Sequence, residues 1–281
     1  MTENKNFISV DELRPYLKES NNVLDYNNLV KALIKHQEDL LNGFELLIKN
    51  LKTLDKCQIQ KIKIGSIVLN VMLNPVRKNS LLSSGFKDRL EKAQCKLCNL
   101  YPNQRGLPII NGKYIIRINP MMVTRGDLTI ATTEHYPQVI KGKFADMVYI
   151  AKTLSDFSIF YNGLLAGASN PHFHFQAGFK NMLPGEMQIE NFLNNIEKYK
   201  VEKIIAKSNI QVLYIPDFLR KNIIVTSTSE DELTEFFDFF NNDFLDISKN
   251  IKNLNGVPDF GEYIDSIKMN ELEGRMNLLL K

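Results

Sequence analysis

The sequence predicts an α+β fold, an antiparallel sheet flanked by helices. Amphipathic helical stripes lie near both ends of the chain, around 26–51 and after Ser229. Short strand-like runs separated by Gly, Pro and Asn turns gather between them. Strands kept apart from helices in this way indicate α+β rather than alternating βα units. With 281 residues, 44% apolar and 24% charged, the chain has the composition of a globular protein with an ample core. A net charge of +3 is too small to indicate nucleic acid, and no basic patch with interleaved aromatics is found. No apolar run is long enough to span a membrane, and the first residues lead into no secretory signal. Three cysteines, an odd number, argue against a disulfide framework and place the protein in the reducing cytoplasm.

Taken in order, Ser9-Val-Asp-Glu12 is a capping box that opens a short helix, with Pro15 tolerated in or near its first turn. From Tyr26 to Leu51, Leu29, Leu33, Leu40, Phe44, Leu47 and Leu51 recur at helical spacing and predict one long amphipathic helix. His36 lies on or beside that stripe and reads as structural. Cys57 reads as a small buried residue. The runs around Ile59–Ile64 and Ile67–Leu73 form a hairpin turned at Gly65-Ser66. Pro75 ends the second strand and leaves Arg77 at its mouth, where it either forks onto phosphate oxygens or is a solvated surface arginine. Strands follow at Lys113–Ile118 and Asp127–Ala131.

Cys95-Lys-Leu-Cys98 is a redox pair, a metal half-site or an accident of sequence. A redox pair would open a helix after a strand, whereas here a loop-like Asn99–Gly106 follows. A zinc site needs two more nitrogen or sulfur ligands, and the downstream histidines are His135, His172 and His174. Two thiolates with two imidazoles would make a closed, structural tetrahedral set. The most distinctive stretch is Tyr161–Gly178. Small residues Gly163, Gly167, Ala168 and Ser169 lead into strict alternation, with His172, His174 and Gln176 on one strand face and Phe173 and Phe175 on the other. Further on, Pro184-Gly185 precedes a helix from Glu186 to Tyr199, and strands are expected at Val201–Ile205, Ile210–Ile215 and Asn222–Thr226. Ser229-Glu-Asp-Glu232 caps a helix with the stripe Leu233, Phe236, Phe237, Phe240, Phe244 and Ile247, which reads as core. Arg275–Lys281 reads as a strand cut short, its missing edge left to a partner chain in a homodimer or absent in a short member of its family.

Cys-Lys-Leu-Cys, Arg-Ile-Asn-Pro, Glu-His and Ser-Asn-Pro-His-Phe-His-Phe-Gln, in this order, resemble the nucleotidyltransferase branch of the histidine triad (HIT) superfamily. That branch includes galactose-1-phosphate uridylyltransferases, dinucleoside tetraphosphate phosphorylases and GDP-galactose phosphorylases. Most similar is a bacterial family of the branch with Asn-Pro-x-Arg, C-x-x-C, Glu-His-x-Pro-Gln and H-x-H-x-Gln-Ala-Gly segments. The resemblance covers Ile62 to Glu186 well and the last hundred or so residues poorly.

The resemblance implies a HIT-like domain at 57–185, after a helical segment at 1–56 and before an α+β region at 186–281 that would be a degenerate or truncated second half. It implies structural Zn2+ on Cys95, Cys98, His135 and His172. His174 would be the nucleophile, forming a covalent nucleotidyl-histidine, and Gln176 would contact phosphate. Ser169 with the Gly167-Ala168 backbone would hold phosphate oxygens, Arg77 would contact substrate phosphates, and Asn119 would lie near the ribose. Asn162 would correspond to a nucleotide-contacting asparagine, with its offset shifted by one. Hydrolases of the superfamily carry a third histidine where Gln176 stands. The expected activity is therefore transfer or phosphorolysis of a nucleoside diphosphate sugar or dinucleoside polyphosphate, with phosphate or a sugar phosphate as acceptor. The alternatives are a non-catalytic nucleotide-binding or scaffolding protein that keeps the zinc-stabilised fold, and a hydrolase. One departure stands out: Asp127 occupies a position where the related family has histidine, and it either alters nucleotide contacts or simply makes a turn with Gly126.

Overall fold

The computed structural model describes residues 6–17, 25–41, 43–65, 67–75, 95–206, 209–216, 218, 221–249 and 276–281. Ser9 caps α1 (Val10–Leu13) with the expected reciprocal bonds to Glu12, and Pro15 sits in the short 3-10 turn that follows. The single long helix expected over 26–51 is instead two helices, α2 (Tyr26–Glu38) and α3 (Glu45–Leu54). The break is built by Asp39, whose extended backbone ends α2 and whose carboxylate accepts from the Leu41 amide at 2.7 Å. Gly43 then donates to the Asp39 carbonyl at 2.9 Å, and a Cβ there would stand 2.2 Å from that same oxygen. Leu40, counted in the helical stripe, is consequently exposed in the turn, while Phe44 is buried just ahead of α3. Cys57 also departs from expectation: it is half-exposed after α3 instead of buried.

Strands β1 (Gln58–Ile64) and β2 (Ile67–Leu73) pair antiparallel from Gln58↔Leu73 to Ile64↔Ile67, with Gly65 at a left-handed φ of 59°. This two-stranded ribbon stands apart from the larger sheet. The larger sheet contains β3 (Leu107–Ile109), β4 (Tyr114–Ile118), β5 (Leu128–Thr132), β6 (Phe157–Asn162) and β7 (His174–Phe179). Between β5 and β6 runs α4 (Phe144–Thr153), and after β7 comes α5 (Pro184–Asn194). A smaller antiparallel sheet, in the order β10-β9-β8, joins β8 (Glu202–Ala206), β9 (Ile210–Tyr214) and β10 (Ile224–Ser227). The chain then forms α6 (Glu230–Lys249), whose Ser229 side chain accepts from the Glu232 amide, and ends in β11 (Asn277–Leu280). β11 pairs antiparallel with β6, so the large sheet runs β11-β6-β7-β5-β4-β3 and the chain's own last strand covers the β6 edge. The fold class is thus α+β. No helix among the described residues is long and apolar enough to cross a membrane.

Period-two alternation divides the large sheet into two faces. Tyr114, Ile116, Leu128, Ile130, Phe173, Phe175 and Ala177 turn one way and merge with α2, α3, α4 and α6 in the main core. Phe175 lies 5.7 Å from the Tyr114 ring and 4.9 Å from Phe173, and Phe144 of α4 stacks on Phe237 of α6 at 3.9 Å. Each of these buried rings contributes about 1.5–3 kcal/mol of apolar burial. The other face carries Ile115, Arg117, Ala131, Ser158, His174 and Gln176, and there the polar side chains collect.

Candidate functional site: a histidine strand beside a cysteine-histidine cluster

The core anchors the site. Because Phe173 and Phe175 are locked among buried rings, the intervening His174 and the flanking His172 and Gln176 have one direction left to point. His172 lies just ahead of β7, in an isolated antiparallel bridge with Pro137. Its ring meets the loop that carries Cys95 and Cys98.

Cys95, Cys98, His135 and His172 each offer one ligand atom, and the four atoms lie within 4.8 Å of one another. Cys98 Sγ is 3.2 Å from His135 Nδ1 and 3.3 Å from His172 Nδ1, while Cys95 Sγ is 3.4 Å from His172 Nδ1. A tetrahedral zinc with bonds of about 2.3 Å to sulfur and 2.0 Å to nitrogen needs sulfur–nitrogen edges of about 3.5 Å. The donor set therefore fits a metal ion in both chemistry and size. The far nitrogen of His172 completes the arrangement: Nε2 donates to the Thr132 carbonyl at 2.9 Å, with the Thr132 hydroxyl at 3.0 Å. That bond places the proton on Nε2 and leaves Nδ1 as the lone-pair donor. Burial, and secondarily the neighbouring His135, push the His172 pKa down to about 3, so the ring is in its neutral, ligating form. Arg117 supports the loop from the sheet, its Nη1 donating to the Leu97 carbonyl at 2.8 Å. Burial draws its pKa down to about 10, against the pull of Cys98 and Cys95.

His174 is buried, only 4% exposed. Its Nδ1 donates to the His172 carbonyl at 2.8 Å, which directs the Nε2 lone pair away from the backbone. Burial lowers its pKa and the carbonyl bond partly opposes that, so the ring is neutral near pH 7. Gln176 stands two residues along on the same face, and Asn162 Nδ2 donates to its Oε1 at 2.7 Å. With Oε1 accepting from Asn162, the amide nitrogen is the end of Gln176 that can donate to an anion.

Gln138 is a residue the sequence reading left without a role. It is completely buried, and its side-chain amide clamps the His174 backbone. Oε1 accepts from the His174 amide at 2.7 Å, and Nε2 donates to the carbonyls of His174 and Asn162, both at 3.0 Å. The one available signal was its place three residues after His135 in Glu-His-Tyr-Pro-Gln.

The remaining expected site residues are distributed unevenly. Asn119 follows β4, and its amide donates to the Asp127 carbonyl, four residues along β5 from the Ala131 that faces His174. That offset is about 13 Å of strand. Its side chain donates to Asp127 Oδ2 at 3.3 Å and accepts from the Met121 amide at 3.0 Å, while Asp127 Oδ2 also accepts from the Val123 amide. Asn119 and Asp127 thus tie the β4–β5 turn together. In the loop before β7, Gly167 adopts a left-handed φ of 104° and is exposed, as is Ser169. Ala168 is buried and its amide donates to the Gly163 carbonyl at 3.1 Å. Arg77 lies outside the described residues.

Comparison with known proteins adds a family. Residues 33–179 match the family described as Domain of unknown function (DUF4922). No curated protein matches the chain. Among solved structures, yeast Ap4A phosphorylase Apa2 is similar at 16% identity and a TM-score of 0.44, over 84% of this chain and 74% of that one. The same yeast enzyme in complex with AMP is similar at 14% identity and a TM-score of 0.43, over 73% and 72% of the two chains.

Proposed function

Taking as premise that the chain belongs to the family described as Domain of unknown function (DUF4922), we propose that it is a nucleotidyltransferase or phosphorylase working through His174. Its substrate would be a nucleoside diphosphate sugar or a dinucleoside polyphosphate, with phosphate or a sugar phosphate as acceptor. The observation that carries this reading is the His174 ring itself: neutral, with Nδ1 tied to the His172 carbonyl at 2.8 Å and Nε2 left as a lone pair two residues before Gln176.

In the first step the Nε2 lone pair attacks the α-phosphorus. A phosphorus–nitrogen bond forms as the phosphorus–oxygen bond to the leaving sugar phosphate, or to the nucleoside polyphosphate of a dinucleoside substrate, breaks, and that oxygen keeps the electron pair. The ring gains positive charge, which the Nδ1–H bond to the carbonyl stabilises. In the second step an acceptor phosphate oxygen attacks the same phosphorus and displaces the imidazole, which recovers its lone pair. Gln176 can donate hydrogen bonds to phosphate oxygens but cannot protonate a leaving group, so it suits leaving groups that depart as anions. Ser169 and the Gly167-Ala168 loop, Asn162, Asn119 and Arg77 are the proposed substrate contacts. Cys95, Cys98, His135 and His172 would hold zinc, which in a closed four-ligand site supplies rigidity and no open position for substrate. We assign this chemistry to a HIT-like unit at 57–185, in a cytoplasmic protein whose three cysteines form no disulfide.

The burial of His174 also favours a second reading, a nucleotide-binding protein without turnover, because a 4% exposed ring has little room to meet phosphorus. One experiment separates them. The metal-loaded protein is incubated with radiolabelled dinucleoside tetraphosphates and nucleoside diphosphate sugars, quenched in base, and examined for an acid-labile label on His174. A labelled His174, absent in His174→Ala, supports transfer. Tight nucleotide binding with neither label nor product, unchanged by His174→Ala, would overturn it in favour of the binding protein.

A further inference from the structure

β7 is held differently along its two edges. The Thr132 amide donates to the Phe173 carbonyl at 3.1 Å, so at that point the odd-numbered residues of the strand address β5. His174, one residue on, therefore turns its N–H and C=O towards β6. The β6–β7 ladder runs from Phe157↔Phe179 to Phe160↔Gln176 and stops there. Asn162, two residues further in register, would face His174, but the Gln138 side chain lies between them. Its amide does what a strand peptide would do: Oε1 accepts from His174 N–H at 2.7 Å, and Nε2 donates to the carbonyls of His174 and Asn162 at 3.0 Å. Gln138 is itself fixed, since Tyr161 Oη donates to its backbone carbonyl at 3.1 Å. One side chain thus satisfies both backbone groups of His174 and sets the spacing of β6 from β7 beside it.

We propose that Gln138 is a positioning residue for His174, acting as a side-chain surrogate for a strand peptide that fixes where Nε2 points and how far Asn162 stands from it. The inference rests on the reading of His174 as the reacting imidazole, but its geometric half can be tested without that reading. Methionine at 138 keeps the length and removes both hydrogen-bonding functions. Glutamate keeps the acceptor for His174 N–H and removes the donor to the two carbonyls.

The test uses the full-length, zinc-loaded protein with two independent readouts. The first is amide hydrogen exchange at His174, together with the ring nitrogen resonances of the four histidines. In Gln138→Met the His174 amide should exchange at least about tenfold faster, as a local opening requires, and its ring signals should broaden or split, while zinc stoichiometry is unchanged. The second is the rate of label transfer from radiolabelled dinucleoside tetraphosphate to His174. It should fall on the order of 100-fold, as for a misplacement of about 1 Å, with nucleotide affinity held within about twofold. Gln138→Glu should keep the amide protected and fall between wild type and Gln138→Met in transfer rate, which keeps the test alive if methionine prevents folding. Wild-type exchange and wild-type transfer in either folded variant overturn the proposal. Were wild type never labelled, the proposed function would fail, and the exchange and resonance data would still decide whether Gln138 sets the His174 geometry.

Discussion

Thr132→Val tests the proposed metal centre without touching a candidate ligand. Valine preserves the shape and removes the hydroxyl that stands 3.0 Å from His172 Nε2 and donates to the Phe173 carbonyl at 3.3 Å. Two partners remain in place. The Thr132 carbonyl still accepts from Nε2 at 2.9 Å, and the Phe173 carbonyl still receives the residue 132 amide at 3.1 Å. No buried group is orphaned, so the stability cost should be about 1 kcal/mol, one modest hydrogen bond. Losing an outer partner of a metal-bound histidine lowers metal affinity by roughly 10–100-fold. With the carbonyl retained, the loss should lie near the tenfold end, or about 1.4 kcal/mol. Competition against a chromophoric zinc chelator measures it directly, with Cys98→Ser as the reference for loss of a proposed ligand. Zinc affinity unchanged within twofold would show that the hydroxyl does not orient His172. A loss as large as that of Cys98→Ser would mean that the carbonyl bond contributes nothing.

Three further outcomes are expected. Gly126 has a φ of 76°, and a Cβ there would come within 2.4 Å of the Phe179 ring, which stacks on buried Phe157 at 4.7 Å. Gly126→Ala should therefore lose roughly 2–5 kcal/mol from backbone strain and overpacking together, and a denaturation midpoint shifted by under 0.5 kcal/mol would contradict this. Tyr161→Phe, which removes the bond to the Gln138 carbonyl, should cost about 1–2 kcal/mol by urea denaturation while leaving zinc content unchanged; an equal or higher midpoint would count against the bond. The pH dependence has a definite sign. His172 is held near a pKa of 3 and His174 below its ordinary value, so the unfolded chain takes up protons near pH 6.5 that the folded chain refuses. Their stability is fully present above about pH 6.5 and declines as the pH falls, by about 2 kcal/mol at pH 5 for His172 alone. Chemical denaturation of chelator-treated protein at the two pH values checks this, and a higher midpoint at pH 5 would refute it.

Sequence showed the site more clearly than it showed the scaffold's breaks. The alternation from His172 to Gln176 needed only the period of a strand, since Phe173 and Phe175 had to reach the core. The scarcity of cysteine and histidine narrowed the candidates for the cluster, and the resemblance to the HIT superfamily supplied the choice of His135 and His172. The split between α2 and α3 could not: Leu40 fits the helical period, and its exposure depends on Asp39 and Gly43 closing a turn through backbone bonds. Gln138 was illegible for a similar reason. A glutamine in a loop announces nothing until the ladder beside it stops two residues short of its expected end. The turn offered for Gly126-Asp127 is present, but the bonds that join Asp127 to Asn119 and to the Val123 amide depend on the β4–β5 register and could not be read from residue types.

The cluster of thiols and imidazoles also has a topological consequence. Cys95 and His172 are 77 residues apart, and β3, β4, β5, α4 and β6 all lie between them. An ion held by both would close the intervening chain into a ring. A cross-link of that size restricts the unfolded ensemble by about 4–5 kcal/mol of chain entropy. It would also couple folding to the ion: the ligands meet only when these distant segments have converged, so a chelator should lower the denaturation midpoint.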